Sequence, residues 1–499
     1  MEQVTKTIEE IDELIRNGSS KAALTKLTAL SATKLSRKQR SVVASLANRV
    51  GASAISLRLL SPIVRSKNPS AQPATGEEIA EYGISLIRHG ASKEALVLLA
   101  SLNAEKTPQA LLYRSLALFT QWTYAPTIGL LRQYVENPSL TAYQRLVGKV
   151  NLLSAYVYEK HFEEARSLAE SLLPGVQASK LRLLEGNIFQ FLAQAELANG
   201  EFEGAEKHLR VAEKILESFH GVDSLFVRKW LAILELRRGG ATKSNLKMLS
   251  VVRREALDKP HWETVRNCDF IESQVTKNKA LFFHVVFGTP YSELRTRWVS
   301  AFQEHVNVPQ EYSWVLKEGK PISTPDLFSP STQALKENLK PGGLRFRLLI
   351  QLCSDFYQPF RLSQLYQELF PGEYFNPTTS CPRVYQAIDK LRRWFHSERL
   401  PLSIVEAKGR YRLTSKSPCA LRIPWKLNSL EGTTPLIEAL HALKQPFTAV
   451  DVAGLLKISR RSALSLLNAA VSDESIIKLG NGNKRVYAVA VSVDGKKAA

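Results

Sequence analysis

The stretch Leu192-Ala-Gln-Ala-Glu-Leu-Ala-Asn-Gly200-Glu-Phe-Glu-Gly-Ala205 joins two runs of helix-favouring residues through a glycine. Glycine adopts the left-handed backbone conformation that ends a helix and lets the chain reverse. The small Ala205, five residues after Gly200, lets the second helix approach the first closely. Apolar residues at helical spacing, such as Phe202 and Leu209, supply a packing face. This stretch therefore predicts a pair of packed α-helices.

Further pairs with the same five-residue spacing recur along the first half of the chain. They are Gly18/Ala23, Gly51/Ser56, Gly90/Ala95, Gly239/Ser244 and the weaker copies Trp122/Thr127 and Lys160/Ala165. Together with Ala205, the second members follow one another at intervals of 32 to 40 residues, which is the period of a two-helix repeat. Because a single pair cannot bury its apolar face, the pairs are expected to stack into an α-solenoid over residues 1–279.

The copies around Gly200 and from Tyr156 to Pro174 resemble tetratricopeptide repeats. The resemblance implies a curved array whose concave side holds a protein or peptide partner. An array that serves only as a spacer or a dimerisation scaffold is the alternative. Histidines of this region such as His89 and His208 lack the i, i+4 spacing of metal ligands, so no metal site is predicted there.

Charge is unevenly distributed along the 499 residues. The chain holds 67 Lys and Arg against 47 Asp and Glu, a formal net charge of +20. Residues 1–279 contribute +9, residues 280–376 are neutral, and residues 377–499 contribute +11. Because a positive field at one end of a protein attracts polyanions, a nucleic-acid partner is expected there. A merely solubilising surface is the alternative.

Composition and motifs exclude several classes of protein. No uncharged apolar run approaches the length of about 18 residues that a membrane span needs, and the acidic segment Glu9–Glu13 does not match a secretory signal. The four cysteines lie far apart without a C-x-x-C pair, so we expect no zinc site, no disulfide framework and a cytoplasmic location. The sequence contains no phosphate loop and no nucleophile–base pair, so we expect neither an enzyme nor a cofactor.

The pattern of residues changes at residue 280. Leu281–Phe287 is rich in β-branched and aromatic residues and predicts a buried strand. A basic helix is expected over Tyr291–Phe302, and a short hairpin over Trp314–Ile322 that turns at Glu318-Gly319. Residues 280–335 are therefore interpreted as a linking strand–helix–hairpin segment.

Residues 336–416 show a different order of elements. Apolar periodicity predicts helices at Leu344–Cys353, Arg361–Leu369 and Ser380–Glu398, the last of them long and basic. Two strands that join at a basic glycine turn are expected over Leu402–Leu413. The segment is thus predicted to be a small α+β module.

At about 100° per residue, the third helix of this module has an apolar stripe opposite a polar face. The stripe consists of Val384, Ile388, Leu391 and Phe395, and the polar face of Arg383, Gln386, Lys390 and Arg393. A helix that presents Arg, Gln and Lys can enter the major groove of DNA and contact base edges or phosphates. Lys408, Arg410 and Arg412, around the glycine turn, are expected to contact the DNA backbone or minor groove.

The segments Phe370-Pro-Gly-Glu-Tyr-Phe375, Val384–Phe395 and Gly409-Arg-Tyr-Arg-Leu413 together resemble the DNA-binding domain of OmpR/PhoB-type response regulators, a winged helix-turn-helix. The resemblance implies base contacts from Arg383 and Gln386, and phosphate contacts from Lys390 and the wing. Helical repeats stand before this module in place of a receiver domain, so control by a histidine kinase is not implied.

A second module is predicted over residues 434–492, after a linker at 417–433 and before a disordered tail at 493–499. Helices are expected at Thr434–Lys444, Ala449–Leu456 and Arg460–Val471, followed by a β-hairpin over Ile476–Val489. This order resembles the winged helix of MarR- or ArsR-like bacterial regulators. The implied DNA contacts are Arg460, Arg461 and Ser465 on the helix, with Lys484 and Arg485 on the wing. Docking of a protein is the alternative for this module.

The sequence therefore predicts a mainly α protein, with an N-terminal α-solenoid of helix pairs and two C-terminal α+β winged-helix domains. The expected function is that of a bacterial transcription regulator whose repeats dock a protein or peptide partner and whose winged helices bind double-stranded DNA. No membrane contact is expected, and homodimer formation stays open. The alternative is a non-catalytic scaffold similar to PCI-type subunits, which predicts no preference for basic residues on the third helices and wings.

Overall fold

A computed structural model gives the fold of the chain. The structure describes residues 2–16, 19–66, 68, 70–217, 219, 222–302, 306–319, 327–328, 339, 343–425, 427, 440, 443, 446–456, 459–472, 476–479 and 485–489. The chain divides into two compact units, residues 1–286 with 291–305 and residues 287–290 with 306–499. Among the helices of the described ranges, none combines the length and apolar character that a membrane crossing requires.

The first unit consists of consecutive helices. They are α1 (Glu2–Arg16), α2 (Ser20–Ser31), α3 (Arg37–Arg49), α4 (Ser53–Val64), α5 (Gly76–His89), α6 (Ser92–Ala100), α7 (Gln109–Phe119), α8 (Ala125–Glu136), α9 (Ala142–Tyr158), α10 (Phe162–Ala178), α11 (Arg182–Ala198), α12 (Phe202–Leu216), α13 (Asp223–Gly239), α14 (Lys243–Asp258), α15 (Trp262–Thr276), α16 (Lys279–Phe287, whose last residue belongs to the second unit) and α17 (Ser292–Ala301). Each helix from α1 to α14 packs against the next along the chain, and the first helices of successive pairs, such as α9 and α11, also contact each other. This stacking is the predicted α-solenoid, called the helical array below.

The small residues of the repeat lie where two helices approach. Those with no exposed surface are Ala23, Ser56, Ala95, Thr127, Ala165 and Ala205. Ser244 is the exception, because it is exposed in the first turn of α14. The interior of that helix is formed instead by Leu249, Val252 and Ala256. A small buried residue therefore marks the close helix–helix contact in six of the seven predicted pairs.

The turns between paired helices use a left-handed backbone conformation, whichever residue occupies them. Gly51, Gly90 and Gly200 have φ values of +77°, +97° and +81°. Trp122 and Lys160, in the weaker copies, adopt the same region with φ values of 59° and 62°. In the last predicted pair the residue with positive φ is Gly240 rather than Gly239, and Gly18 lies outside the described residues.

One prediction for residues 280–335 is wrong, and the region contributes to a strand pair that the sequence did not indicate. Leu281–Phe287 forms α16, a helix, rather than a strand. The burial of residues such as Phe282 and Val285 outweighs their β propensity. Trp314 lies in β1 (Glu311–Lys317), the first strand of the predicted hairpin, and β1 pairs antiparallel with β5 (Cys419–Pro424). β5 occupies the predicted linker, whereas residues 320–322 lie outside the described ranges.

The second unit contains the remaining elements. After β1 these are α18 (Leu344–Ser354), β2 (Phe360–Arg361), α19 (Leu362–Leu369), α20 (Cys381–Ser397), β3 (Leu402–Ala407), β4 (Arg410–Ser415), β5, α21 (Ala449–Leu456), α22 (Arg460–Ser472), β6 (Ile476–Leu479) and β7 (Val486–Val489). Strands β2, β4 and β3 form one antiparallel sheet in that order. The order α18–β2–α19–α20–β3–β4 contains the three helices and the two joined strands that the sequence predicted, and the short β2 is an element that the sequence did not indicate.

The C-terminal part of this unit has its own small core. Phe447, Leu467 and Tyr487 are buried in it, and the backbones of Phe447 and Tyr487 exchange hydrogen bonds of 2.9 and 2.8 Å. Strands β6 and β7 form the predicted hairpin. Most of the predicted helix Thr434–Lys444 and the whole tail at 493–499 lie outside the described residues.

Candidate nucleic-acid interface

Helix α20 turns its polar face to solvent because its apolar face is packed. Val384, Ile388, Leu391 and Phe395 are buried to at least 98%. Gln386, Lys390 and Arg393 lie on the other side and are exposed. Pro382 lies in the first turn, where proline is tolerated because the backbone N–H groups of that turn have no acceptor within the helix.

Arg383, at the start of α20, is held by neighbours rather than extended into solvent. Its guanidinium forms two contacts with the Glu373 carboxylate, of which Nη2–Oε1 is 3.1 Å, and Nη1 donates to the Tyr366 hydroxyl at 3.0 Å. The guanidinium carbon lies 3.8 Å from the centre of the Phe370 ring. Hydrogen bonding from Arg383 lowers the pKa of Glu373, so this carboxylate stays ionised at neutral pH. We call Arg383, Glu373, Tyr366 and Phe370 the arginine clamp.

The other polar residues of α20 differ in how strongly they are engaged. Arg393 forms an exposed ion pair of 2.8 Å with Asp389, one helical turn earlier. Lys390 and Gln386 have no ion pair or hydrogen bond among the described residues. Together these three side chains span about 10 Å along the helix axis at 1.5 Å per residue.

The wing is a tight hairpin between β3 and β4. Lys408 and Gly409 have φ values of 53° and 71°, and they separate the paired residues Ala407 and Arg410. Positive φ at both central residues is the signature of a type I′ turn. The Gly409 N–H donates to the Glu406 carboxylate at 2.6 Å, and Lys408 is exposed at the tip.

The three predicted wing cations are not equivalent. Arg412 is exposed on β4, like Lys408 at the tip. Arg410 is half-buried opposite Arg361 of β2, and its Nη1 contacts the Pro359 carbonyl at 3.4 Å. Burial, and then the charge of Arg361, lower the pKa of Arg410. Arg410 therefore connects β4 to the segment before β2, and Lys408 and Arg412 are the accessible cations among the three.

Two residues beside this surface were not predicted from the sequence. Arg392 donates from Nε and Nη2 to the Ile404 carbonyl at 3.2 and 2.7 Å, which fixes α20 against β3. Tyr385 is half-exposed on α20, and its ring centre lies 6.5 Å from that of Tyr411 on β4. The only sequence signal for Tyr385 is its place next to Gln386 on the polar face. It adds an aromatic group between the helix and the wing.

The second module presents a smaller set of described cations. Arg460 and Arg461 are exposed at the start of α22, and Arg485 is exposed just before β7. The charge of Arg461 contributes to the lowered pKa of Glu373, so the start of α22 influences the arginine clamp electrostatically. The Ser465 side chain and Lys484 lie outside what the structure describes. Among the described residues, no group of three His, Cys, Asp or Glu could hold a metal ion.

Comparison with known proteins gives fold likenesses only. No protein-family model matches the chain, and no curated protein sequence matches it. Among solved structures, a Rap protein complexed with the competence and sporulation factor matches with a TM-score of 0.44 and 11% identity, covering 60% of this chain and 89% of that one. Aspartyl phosphate phosphatase F from Bacillus subtilis matches with a TM-score of 0.35 and 14% identity, over 60% and 91% of the two chains. The Rap conjugation gene regulator of the plasmid pLS20 matches with a TM-score of 0.35 and 9% identity, over 79% and 97%.

Proposed function

We propose that the chain is a DNA-binding regulator in which the second unit binds duplex DNA and the helical array docks a protein or peptide partner. The observation that carries the DNA part is the face formed by Gln386, Lys390 and Arg393 together with the wing residues Lys408 and Arg412. These side chains are exposed, and among the described residues three of the four cations, Lys390, Lys408 and Arg412, have no acidic partner. A basic helix beside a basic wing suits contact with base edges and the flanking phosphates.

The charge distribution supports the same proposal. Residues 377–499 hold most of the surplus of +20, and Lys408, Arg412, Arg460, Arg461 and Arg485 are among the exposed cations there. Neutralising phosphates releases counterions, so the affinity for DNA should fall steeply as salt rises. A scaffold that contacts only proteins would not show a salt-dependent affinity for DNA.

The test is the affinity of the full chain for random-sequence duplex DNA between about 50 and 200 mM salt. The proposal predicts that log affinity falls linearly with log salt. Lys390→Ala should weaken binding and reduce the slope by about 1, since one phosphate contact is lost. Lys247→Ala, which removes an exposed lysine from α14 of the array, is the matched control and should change neither value.

A scaffold role is the second candidate, and one observation favours it. Two of the four predicted cationic or polar contacts on α20 are already occupied, since Arg383 pairs with Glu373 and Arg393 with Asp389. A chain that does not bind duplex DNA at 50 mM salt, or that binds with no dependence on salt, would leave the scaffold as the function of the second unit.

A further inference from the structure

Lys229 of α13 is a buried cation without a counter-ion. Its side chain lies in the interior of the helical array, with 7% of the residue exposed. The ammonium nitrogen lies 5.6 Å from the ring centre of Phe226 and 5.3 Å from that of Trp230. Within the described part of the chain, no oxygen accepts a hydrogen bond from it and no carboxylate forms an ion pair with it. A buried charge in this state is costly, because aromatic faces replace only part of the lost hydration.

Two groups interact electrostatically with Lys229, the Cys268 thiol and the Glu263 carboxylate, and neither neutralises its charge. Burial raises the pKa of the Cys268 thiol to about 12, so the thiol is uncharged at neutral pH. The Glu263 carboxylate is engaged elsewhere, since it accepts two hydrogen bonds from Arg266 Nη1 at 2.9 and 2.8 Å and one from Trp122 Nε1 at 3.0 Å. Burial lowers the pKa of Lys229 to about 8, which still leaves the ammonium mostly protonated at pH 7.

His261 provides a second donor beside the same aromatic ring. Its Nδ1 lies 3.4 Å from the backbone N–H of Thr264, which can only donate, so the ring proton is assigned to Nε2. Burial, and then the charge of Lys229, lower the pKa of His261 and keep the imidazole neutral. The His261 ring contacts Phe226 edge-on at 5.1 Å. No described residue accepts a hydrogen bond from Nε2.

The two donors share one neighbour and one helix start. Lys229 and His261 both contact Phe226, one through its ammonium and the other through its ring. His261 is also the N-cap of α15, where unpaired backbone N–H groups add positive potential. Positive potential and two N–H donors therefore lie at the junction of α13 and α15, where the Glu263 carboxylate of the first turn of α15 is already engaged by Arg266 and Trp122.

We infer that Lys229 and His261 form a subsite for a carboxylate group carried by the partner of the helical array, an inference that rests on the docking role proposed above. A carboxylate fits better than a phosphate, because the junction offers one full positive charge and one neutral donor, which match a monoanion. The flat faces of Phe226 and Trp230 suit the apolar carbon atoms that carry such a group. The carboxylate would belong to an acidic side chain or to the C-terminus of a peptide.

The test uses the full chain and acetate as the probe. A ligand that binds only the folded state stabilises it by mass action, so sodium acetate should raise the Tm by about 1–2 °C over sodium chloride at equal ionic strength. Lys229→Met should abolish that increment, whereas Lys214→Met, which removes an exposed lysine from α12, should retain it. Sodium phosphate forms the third arm, and an increment from phosphate as large as that from acetate, lost in the same variant, would overturn the assignment of a carboxylate.

A measurement on the unaltered protein covers the case in which Lys229→Met does not fold. An amine-reactive acylating reagent is applied at pH 8, and the rates of modification at Lys229 and Lys214 are followed by peptide mass spectrometry. Acetate should slow the reaction at Lys229 at least about threefold relative to chloride and leave Lys214 unchanged. Equal rates in both salts at Lys229 would overturn the inference. Because no DNA is present, either outcome is independent of the DNA-binding part of the proposed function.

Discussion

Arg383 and Lys229 carry the same charge in opposite circumstances. Arg383 is half-exposed at the start of α20, yet it has a carboxylate, a hydroxyl and an aromatic face around its guanidinium. Lys229 is buried in α13, yet its ammonium faces the rings of Phe226 and Trp230 and has no hydrogen bond or ion pair within the described residues. Solvent would have hydrated Arg383 without help, whereas Lys229 needs a partner and has none within the described chain. A residue's availability to a ligand therefore depends on what already satisfies it, and exposure alone does not report that.

Two further cations complete the comparison. Arg266 has no exposed surface, and it is paired with Glu263 at 2.9 and 2.8 Å. Lys390 is exposed and has no ion pair among the described residues. Arg266 is thus a buried cation with a partner, and it is the reference for Lys229. Lys390 is an exposed cation without an ion pair, and it is the reference for Arg383. Breaking these arrangements separately should give effects that differ in size and sign.

The largest loss of stability is expected at the pair of Glu263 with the fully buried Arg266. Glu263→Gln keeps the size of the side chain but removes the negative charge that faces Arg266. We expect the free energy of unfolding to fall by about 3 kcal/mol, because a buried ion pair that loses one charge is strongly destabilised. Urea denaturation followed by far-UV circular dichroism measures the change.

A surface pair in the same array is the control for that experiment. Glu206 lies 2.8 Å from Arg238, and both side chains are about one-third exposed. Glu206→Gln should cost less than about 1 kcal/mol, because solvent screens the charges. Equal losses in the two variants would show that burial of Arg266 does not set the strength of its pair.

The repeat pattern and the basic helix were predictable because their signals are local. A turn residue followed by a small residue five positions later encodes both a left-handed turn and a close helix contact. For the same reason Trp122 and Lys160 were found despite not being glycine. The apolar stripe from Val384 to Phe395 follows from helical periodicity alone, and each of its four positions is buried.

What the sequence did not show depends on contacts between distant residues. Residues 281–287 have the β-branched and aromatic composition of a strand, yet they form α16, in which Phe282, Val285 and Val286 are fully buried. Lys229 lies among Phe226, Arg228 and Trp230 in a stretch that resembles an ordinary charged helix face; packing of α13 against α15 buries it. Trp122 and Glu263, which are 141 residues apart, form a hydrogen bond that no local pattern indicates.

The second prediction concerns the pH dependence of Lys229. Its pKa of about 8 lies below the ordinary value of 10.5, so between these two values the unfolded chain binds more protons than the folded one. The free energy of unfolding of the unaltered protein should therefore rise with pH across this window relative to Lys229→Met. The variant should be the more stable one at pH 7, by on the order of 3 kcal/mol, and that advantage should shrink towards zero by pH 10.5.

Urea denaturation at pH 7, 8, 9 and 10 measures this difference. Comparison with the variant cancels the contributions of the tyrosines, which are present in both proteins, and Cys268 does not interfere because its pKa of about 12 keeps the thiol of the folded protein protonated over this range. A difference that stays constant with pH would mean that the ammonium has the same protonation behaviour in both states. In that case the contrast between Lys229 and Arg383 would not be one of unsatisfied against satisfied charge.

The smallest effect in free energy is expected at the arginine clamp, and its sign is the informative part. Glu373→Gln removes a carboxylate that is ionised at neutral pH, and since both side chains are about 40% exposed, stability should change by less than about 1 kcal/mol. The affinity for duplex DNA should increase about threefold to tenfold, which corresponds to roughly 0.7–1.4 kcal/mol. The cause is that Arg383 becomes available to the DNA while a negative charge beside it disappears.

Asp389→Asn separates those two causes. It removes the same unit of charge from the same helix, but it releases Arg393 from an ion pair whose side chains are already 72% and 60% exposed. If Glu373→Gln strengthens DNA binding more than Asp389→Asn does, the release of Arg383 contributes in addition to the loss of a negative charge. Equal gains would assign the effect to charge alone. A loss of affinity in Glu373→Gln would show that the clamp holds Arg383 in the position in which it binds DNA, and the satisfied cation would then be the preorganised one.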